Sequence, residues 1–303
     1  MTGSLKGIEE DIASLEEAIF KLAQEFDGAY ENYLTTLGNA MRQQLILANY
    51  HLCTQGYPEY FLKLSYSQRQ KFQQSLQGLA ANAQKMLISL IKISPASQAL
   101  EEKEPEPEEP ELQDDAQNND DLLQALTSED ESLELSADLL LQPPTPKVLS
   151  LPERLAKWQD DLEQSINTLL RTLSRDTNFA LQQANIFPHH LPEAVLEAAS
   201  QAEASAETVA SPPNLLNLMI ETENLEEEDE GITNVTRLMA VHLRVSEIEF
   251  ADATLMSARH KIRNLSAQLN KVGRNYQKKQ RERAVLEAEA AWRSSWFEEN
   301  SKD

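Results

Sequence analysis

Histidine and cysteine offer the most chemistry in this 303-residue chain, and their spacing offers little of it. The five histidines are His51, His189, His190, His242 and His260. None stands three residues after a glutamate, so the Glu-x-x-His element of a di-iron bundle is absent. Neither H-E-x-x-H nor G-x-S-x-G occurs. His189 and His190 sit in IFPHHLPE, a proline-flanked turn, and two adjacent imidazoles make only half a metal site. His51 and Cys53 are two residues apart on a helical stretch, so they cannot share a face as base and nucleophile. Cys53 reads as a small buried hydrophobe, and a single cysteine excludes a disulfide framework or a multi-thiolate site within one chain. The eight glycines (Gly3, Gly7, Gly28, Gly38, Gly56, Gly78, Gly231 and Gly273) never lie two apart, which removes dinucleotide and Walker loops. No catalytic residue, cofactor or metal is expected.

The remaining chemistry is electrostatic. Arg259, Lys261, Arg263, Lys271, Arg274, Lys278, Lys279, Arg281 and Arg283 face a single acid, Glu282, within residues 259–283. Such density suits the phosphates of nucleic acid or an anionic membrane surface. Against both stands a formal charge of −23, which repels polyanions beyond about one Debye length of roughly 8 Å. A solvated helix face is the plain alternative. A third reading links the two signs. Residues 96–147 hold 16 acids and 2 bases, and residues 221–230 hold 7 acids and no base. Either tract could cover the basic helix within the chain, with a partner competing for it.

These charges must be positioned by helices. Leu5, Ile8, Ile12, Leu15, Ile19, Leu22 and Phe26 repeat at 3, 4, 3, 4, 3, 4, the seam of a coiled coil and a candidate surface for self-association. The seam continues through Tyr30, Tyr33, Leu37, Met41, Leu45, Ala48 and Leu52 to a stop at Gly56-Tyr57-Pro58. Gly28 and Gly38 mark places for a bend or for a close returning helix. Phe72, Leu76, Leu79, Ala83, Met86, Leu90 and Ile93 form a second heptad helix, capped by Ser67 with Gln70 or, one register earlier, Ser65 with Gln68. Residues 1–95 are therefore expected to fold as an antiparallel hairpin whose longer first helix leaves part of its stripe open.

Residues 96–147 read as a disordered acidic linker, broken by Pro105, Pro107, Pro110, Pro143, Pro144 and Pro146. Within it DDLLQALTSEDESLELSADLLL is either a transient helix or a segment that folds onto a partner groove. Residues 148–303 form the C-terminal helical unit. Ser150 and Glu153 cap a helix bearing Leu155, Trp158, Leu162, Ile166, Leu169 and Leu173. An alanine-rich helix follows the paired histidines. NLLNLMIETEN is read as a short helix, and Val235, Leu238, Met239, Leu243, Ile248 and Phe250 as another after an acidic loop at 224–231. A final helix spans 253–297, with Lys278 to Arg283 projecting into solvent and Trp292, Trp296 and Phe297 as an anchor or an exposed interaction motif. The class is all-α. No apolar h-region opens the chain and no run approaches roughly 18 apolar residues, so a soluble cytoplasmic protein is expected.

MRQQLILANYHLCTQGYPEYFLKLSYSQRQKFQQ, YQKKQRERAVLEAEAAWRSSWF, PPNLLNLMIETEN and RLMAVHLRVSEIEF together resemble a family of uncharacterised helical proteins encoded in cyanobacteria. The resemblance covers both helical units, skips the acidic linker and implies a bacterial cytoplasmic setting without a mechanism. The expected function is a non-enzymatic scaffold or adaptor working through its seams and a linker motif. The alternative is a peripheral binder of nucleic acid or membrane through residues 259–283.

Overall fold

A computed structural model describes residues 2–92, 149–187, 212–222 and 234–297. The acidic linker, His189 and His190, the alanine-rich stretch and loop 224–231 lie outside the described residues. The described part is all-α with one small sheet. Its elements are α1 (Thr2–His51), α2 (Pro58–Lys63), α3 (Tyr66–Ser89), α4 (Leu151–Gln183), β1 (Leu215–Thr222), β2 (Asn234–Val241), α5 (Val245–Ala251) and α6 (Ala253–Phe297).

The heptad spacing of α1 buries a stripe from Ile12 to Leu52, with Phe26, Tyr30, Tyr33, Leu34, Leu37, Met41 and Leu45 wholly enclosed. Burial of side chains this size contributes about 1.5–3 kcal/mol each. α1 ends in a π turn, Leu52–Gly56, closed where the Tyr57 N–H donates to the Leu52 carbonyl at 2.8 Å. α3 then returns along α1, capped by Ser65 with Gln68 and not in the later register. At Gly38 the returning helix comes so close that an added Cβ would stand 2.8 Å from Gln84 Cγ.

The open part of the α1 stripe is filled from within the chain. α6 runs antiparallel to α1, with Lys279 bound to Asp11, Tyr276 to Glu16 and Arg259 to Tyr33. α4 lies parallel to α1 and antiparallel to α6. Trp158 packs edge-on against Tyr30 at 5.4 Å between ring centroids, and Gln159 bonds Ser266. The two sequence units share one apolar cluster. The Leu5–Phe26 seam is thus occupied by α6: Ile12, Ile19, Leu22 and Phe26 are buried, and Leu5, Ile8 and Leu15 are partly so.

Two expected helices are corrected. Leu215–Thr222 of NLLNLMIETEN forms β1, and the run from Val235 divides into β2, an irregular link at His242–Arg244 and the short α5. β1 and β2 pair antiparallel, Leu215 with Val241 through Thr222 with Asn234. Side chains complete the outer edge of β2. The Tyr57 hydroxyl accepts from the Met239 N–H at 2.8 Å and donates to its carbonyl at 3.1 Å. The Asn178 carboxamide does the same for both backbone groups of Val241 at 2.9 Å, and Ser174 Oγ accepts from the Leu243 N–H. An edge satisfied this way resists pairing with another strand. Gly56 lets β2 approach, since an added Cβ would lie 3.2 Å from Met239 Sδ.

Asn178→Ala leaves two buried backbone groups of Val241 without partners, at about 1–3 kcal/mol each. Urea denaturation should show a combined loss of about 2–6 kcal/mol, while Asn167→Ala, an exposed asparagine bonded only to its own helix, stays within about 0.5 kcal/mol. Equal losses for the two variants would refute the role given to Asn178.

Candidate functional site

The described core contains one buried charge cluster, and four helices build it. α6 supplies Arg259, α4 Glu163, α5 Glu249, and α1 Tyr30 and Tyr33. The guanidinium takes Glu163 with both terminal nitrogens, one of them at 3.0 Å from Oε2, and donates through Nε to Glu249 Oε1 at 2.6 Å. Its Nη2 also donates to the Tyr33 hydroxyl at 2.7 Å, and that hydroxyl donates on to Glu249 at 2.7 Å. Tyr30 donates to Glu163 at 2.8 Å. The Tyr33 ring lies under the guanidinium, 4.5 Å from its carbon to the centroid.

Side-chain exposure is 13% for Arg259, 26% for Glu163 and 11% for Glu249, so these charges depend on one another. Burial pushes both phenols above the usual tyrosine range, and Glu163 reinforces this at Tyr30. Burial disfavours the Arg259 charge, but the Glu163 bond and charge outweigh it and hold the guanidinium protonated. Each carboxylate takes hydrogen bonds from Arg259 and from a tyrosine hydroxyl. The cluster therefore has the chemistry of a structural clasp, with no unsatisfied base or nucleophile.

Beside it an open groove of about 930 Å3 runs between α4 and α6 and is closed at one end by residues 242–246. Arg171 and Asn167 line it from α4, Arg263 and Asn270 from α6, and His242 and Arg244 from the closing segment. Arg244 pairs with Glu247 at 2.8 Å. His242 is held down at about 4, first by burial and then by the charges of Arg244 and Arg171.

The nine bases of residues 259–283 divide into distinct environments. Arg259 is enclosed in the clasp. Lys279 is half-buried between Asp11 and Glu282, each at 3.0 Å, and Arg283 meets Glu287 at 3.4 Å. The stretch Lys278 to Arg283, expected to project into solvent, meets α1 at Lys279, while Lys278 and Arg281 are exposed. Lys261, Arg263, Lys271, Arg274, Lys278 and Arg281 are exposed. Trp292 is 67% exposed and so is not the buried anchor considered from the sequence; the side chains of Trp296 and Phe297 lie outside the described residues. His51 and Cys53 point to no shared chemistry, and burial raises the Cys53 thiol to about 12.

Glu163, Glu249, Arg171 and Arg244 escaped the sequence reading, and His242 was weighed only as a lone histidine, because nothing local links them: Tyr33 and Arg259 are 226 residues apart. The usable signal was Tyr30 and Tyr33 standing in an otherwise aliphatic seam, where buried hydroxyls demand polar partners.

Arg259→Met strands two carboxylates and should cost about 3–5 kcal/mol in chemical denaturation. Adding Glu163→Gln and Glu249→Gln should recover most of that loss; failure to recover would mean that Arg259 acts by packing alone. A second expectation concerns pH. Because the folded pKa of His242 is about 4 against an ordinary 6.5, the unfolded chain binds a proton between these values that the fold does not. Stability therefore falls as pH drops from 6.5 towards 4. His242→Gln should flatten this part of the profile, seen as a wild-type-minus-variant difference in urea midpoint that changes only in that window. No family model, curated protein or solved structure matches this chain.

Proposed function

We propose that this chain is a non-enzymatic helical scaffold or adaptor that presents docking surface to protein partners in a cytoplasmic setting. The observation that supports this most directly is the distal part of α6. The first turn of α4 meets α6 at Gly273, where Pro152 Cβ lies 3.3 Å from an added Cβ, and at Gln277, which bonds Glu153. α6 then continues for 20 more residues to Phe297, about 30 Å at 1.5 Å per residue. Leu286, Glu282, Lys279 and Gln280 are the half-covered side. Val285, Ala288 and Trp292, at i, i+3 and i+7, form an exposed apolar strip, with Val285 51% and Trp292 67% exposed. An exposed stripe at this spacing fits helix-on-helix docking. Among the described residues no helix is long and apolar enough to cross a membrane.

Polyanion binding through residues 259–283 of α6 is the second reading, favoured by the six exposed bases of that stretch. The covering of this helix by residues 96–147 or 221–230 concerns tracts that lie mostly outside the described residues. Salt separates the two functions, since phosphate binding falls steeply between 50 and 200 mM whereas apolar docking does not. A photo-crosslinker at Val285 in the full chain should give discrete protein adducts in native lysate that persist at 0.5 M salt and are lost on Trp292→Glu. Adducts equally abundant from a control crosslinker at Gln74, exposed on α3 and away from both grooves, would defeat the adaptor reading. Steeply salt-sensitive retention on immobilised duplex DNA or anionic vesicles would favour the alternative.

A further inference from the structure

The groove beside the clasp has a charge pattern that the clasp does not explain. Its floor is engaged: Glu163 and Glu249 both bond Arg259, which leaves the three groups a net charge of −1, and four of the five guanidinium N–H groups are already used. Its walls are not. Arg171 and Arg263 are exposed, and neither has a hydrogen bond or ion pair among the described residues. Arg244 stands near Arg171 across His242, shared in part with Glu247. Arg171, Arg263 and Arg244 are the cations of this groove besides the engaged Arg259.

The clasp also sets the spacing. Glu163 of α4 meets Arg259 of α6, and the two helices are antiparallel. Arg171 lies eight residues beyond Glu163 in one direction, and Arg263 four residues beyond Arg259 in the other. Twelve residues of helical rise place the two basic poles about 18 Å apart along the groove. Asn167, Ser246 and Asn270 bring amide and hydroxyl groups to the same lining. A single phosphate cannot reach both poles. An extended peptide at about 3.3 Å per residue crosses that distance in five to six residues.

From this we infer that the α4–α6 groove binds an extended acidic peptide segment of a protein partner, with one acidic side chain at Arg171 and Arg244 and a second, five to six residues along, at Arg263. The inference deepens the adaptor reading, on which it rests for the partner being a protein, and uses a surface separate from the Val285–Trp292 strip.

The test uses the full chain and fluorescent synthetic decapeptides measured by anisotropy. One carries two glutamates separated by five residues in a Ser/Asn background, and its control carries the same two glutamates side by side. The spaced peptide should bind more tightly. Arg171→Gln and Arg263→Gln should each weaken it about three- to tenfold, and the His242 imidazole resonances should move only with the spaced peptide. Equal binding of both peptides, binding unchanged in both variants, no binding of the spaced peptide, or displacement by millimolar inorganic phosphate alone would each overturn the proposal. Trp292→Glu should leave peptide binding intact, and Arg171→Gln should leave the Val285 adducts intact. Failure of one reading is therefore distinguishable from failure of the other.

Discussion

Burying one arginine imposes a demand that most of this fold is arranged to meet. Arg259 cannot leave water without acceptors, and it takes them from α4, α5 and α1 at once. Each acceptor is then constrained by a further partner. Tyr30 holds Glu163, and Tyr33 holds Glu249 while stacking on the guanidinium. Apolar burial supplies the bulk of the driving force along α1, but it is non-directional and tolerates sliding. The clasp is directional. It fixes the longitudinal register of α6 on α1 and of α4 on α6, and so fixes which side chains share the neighbouring groove.

Away from this point the restraints become softer. Distal to Tyr276 the partnership of α1 and α6 relies on Lys279 with Asp11 and on half-buried aliphatic residues. Exposed ion pairs of this kind contribute little, so local opening is easier there than at the clasp. The sheet forms a second rigid point. Its outer strand is locked by Tyr57, Asn178 and Ser174, three side chains from two elements that otherwise belong to the helical body.

The heptads of α1 and α3 were legible because their signal is local and periodic. Of the two glycines marked within α1, Gly38 meets the returning helix, whereas an added Cβ at Gly28 would have nothing within 4 Å. The partner of the α1 stripe was not legible. A seam shows that something covers it, and the identity of the cover lies more than 200 residues away. The strands were misread because Leu215–Thr222 is too short for period 3.6 and period 2 to be told apart. The irregular link at His242–Arg244 carries no glycine or proline to announce it. At the candidate groove, Arg263 was visible as one of a crowd of bases. Its pairing with Arg171 depends on the clasp and could not be read from spacing.

The route from α3 to α4 is longer than the gap it spans. Leu90 near the end of α3 and Asp161 of α4 line one groove, and α4 begins ten residues earlier, about 15 Å away. Roughly five extended residues would bridge that gap, whereas 56 residues separate Lys92 from Leu149. Closure entropy grows only logarithmically, about 0.6 kcal/mol for each doubling of length. The distance to be bridged therefore does not set the length of the connection between these helices.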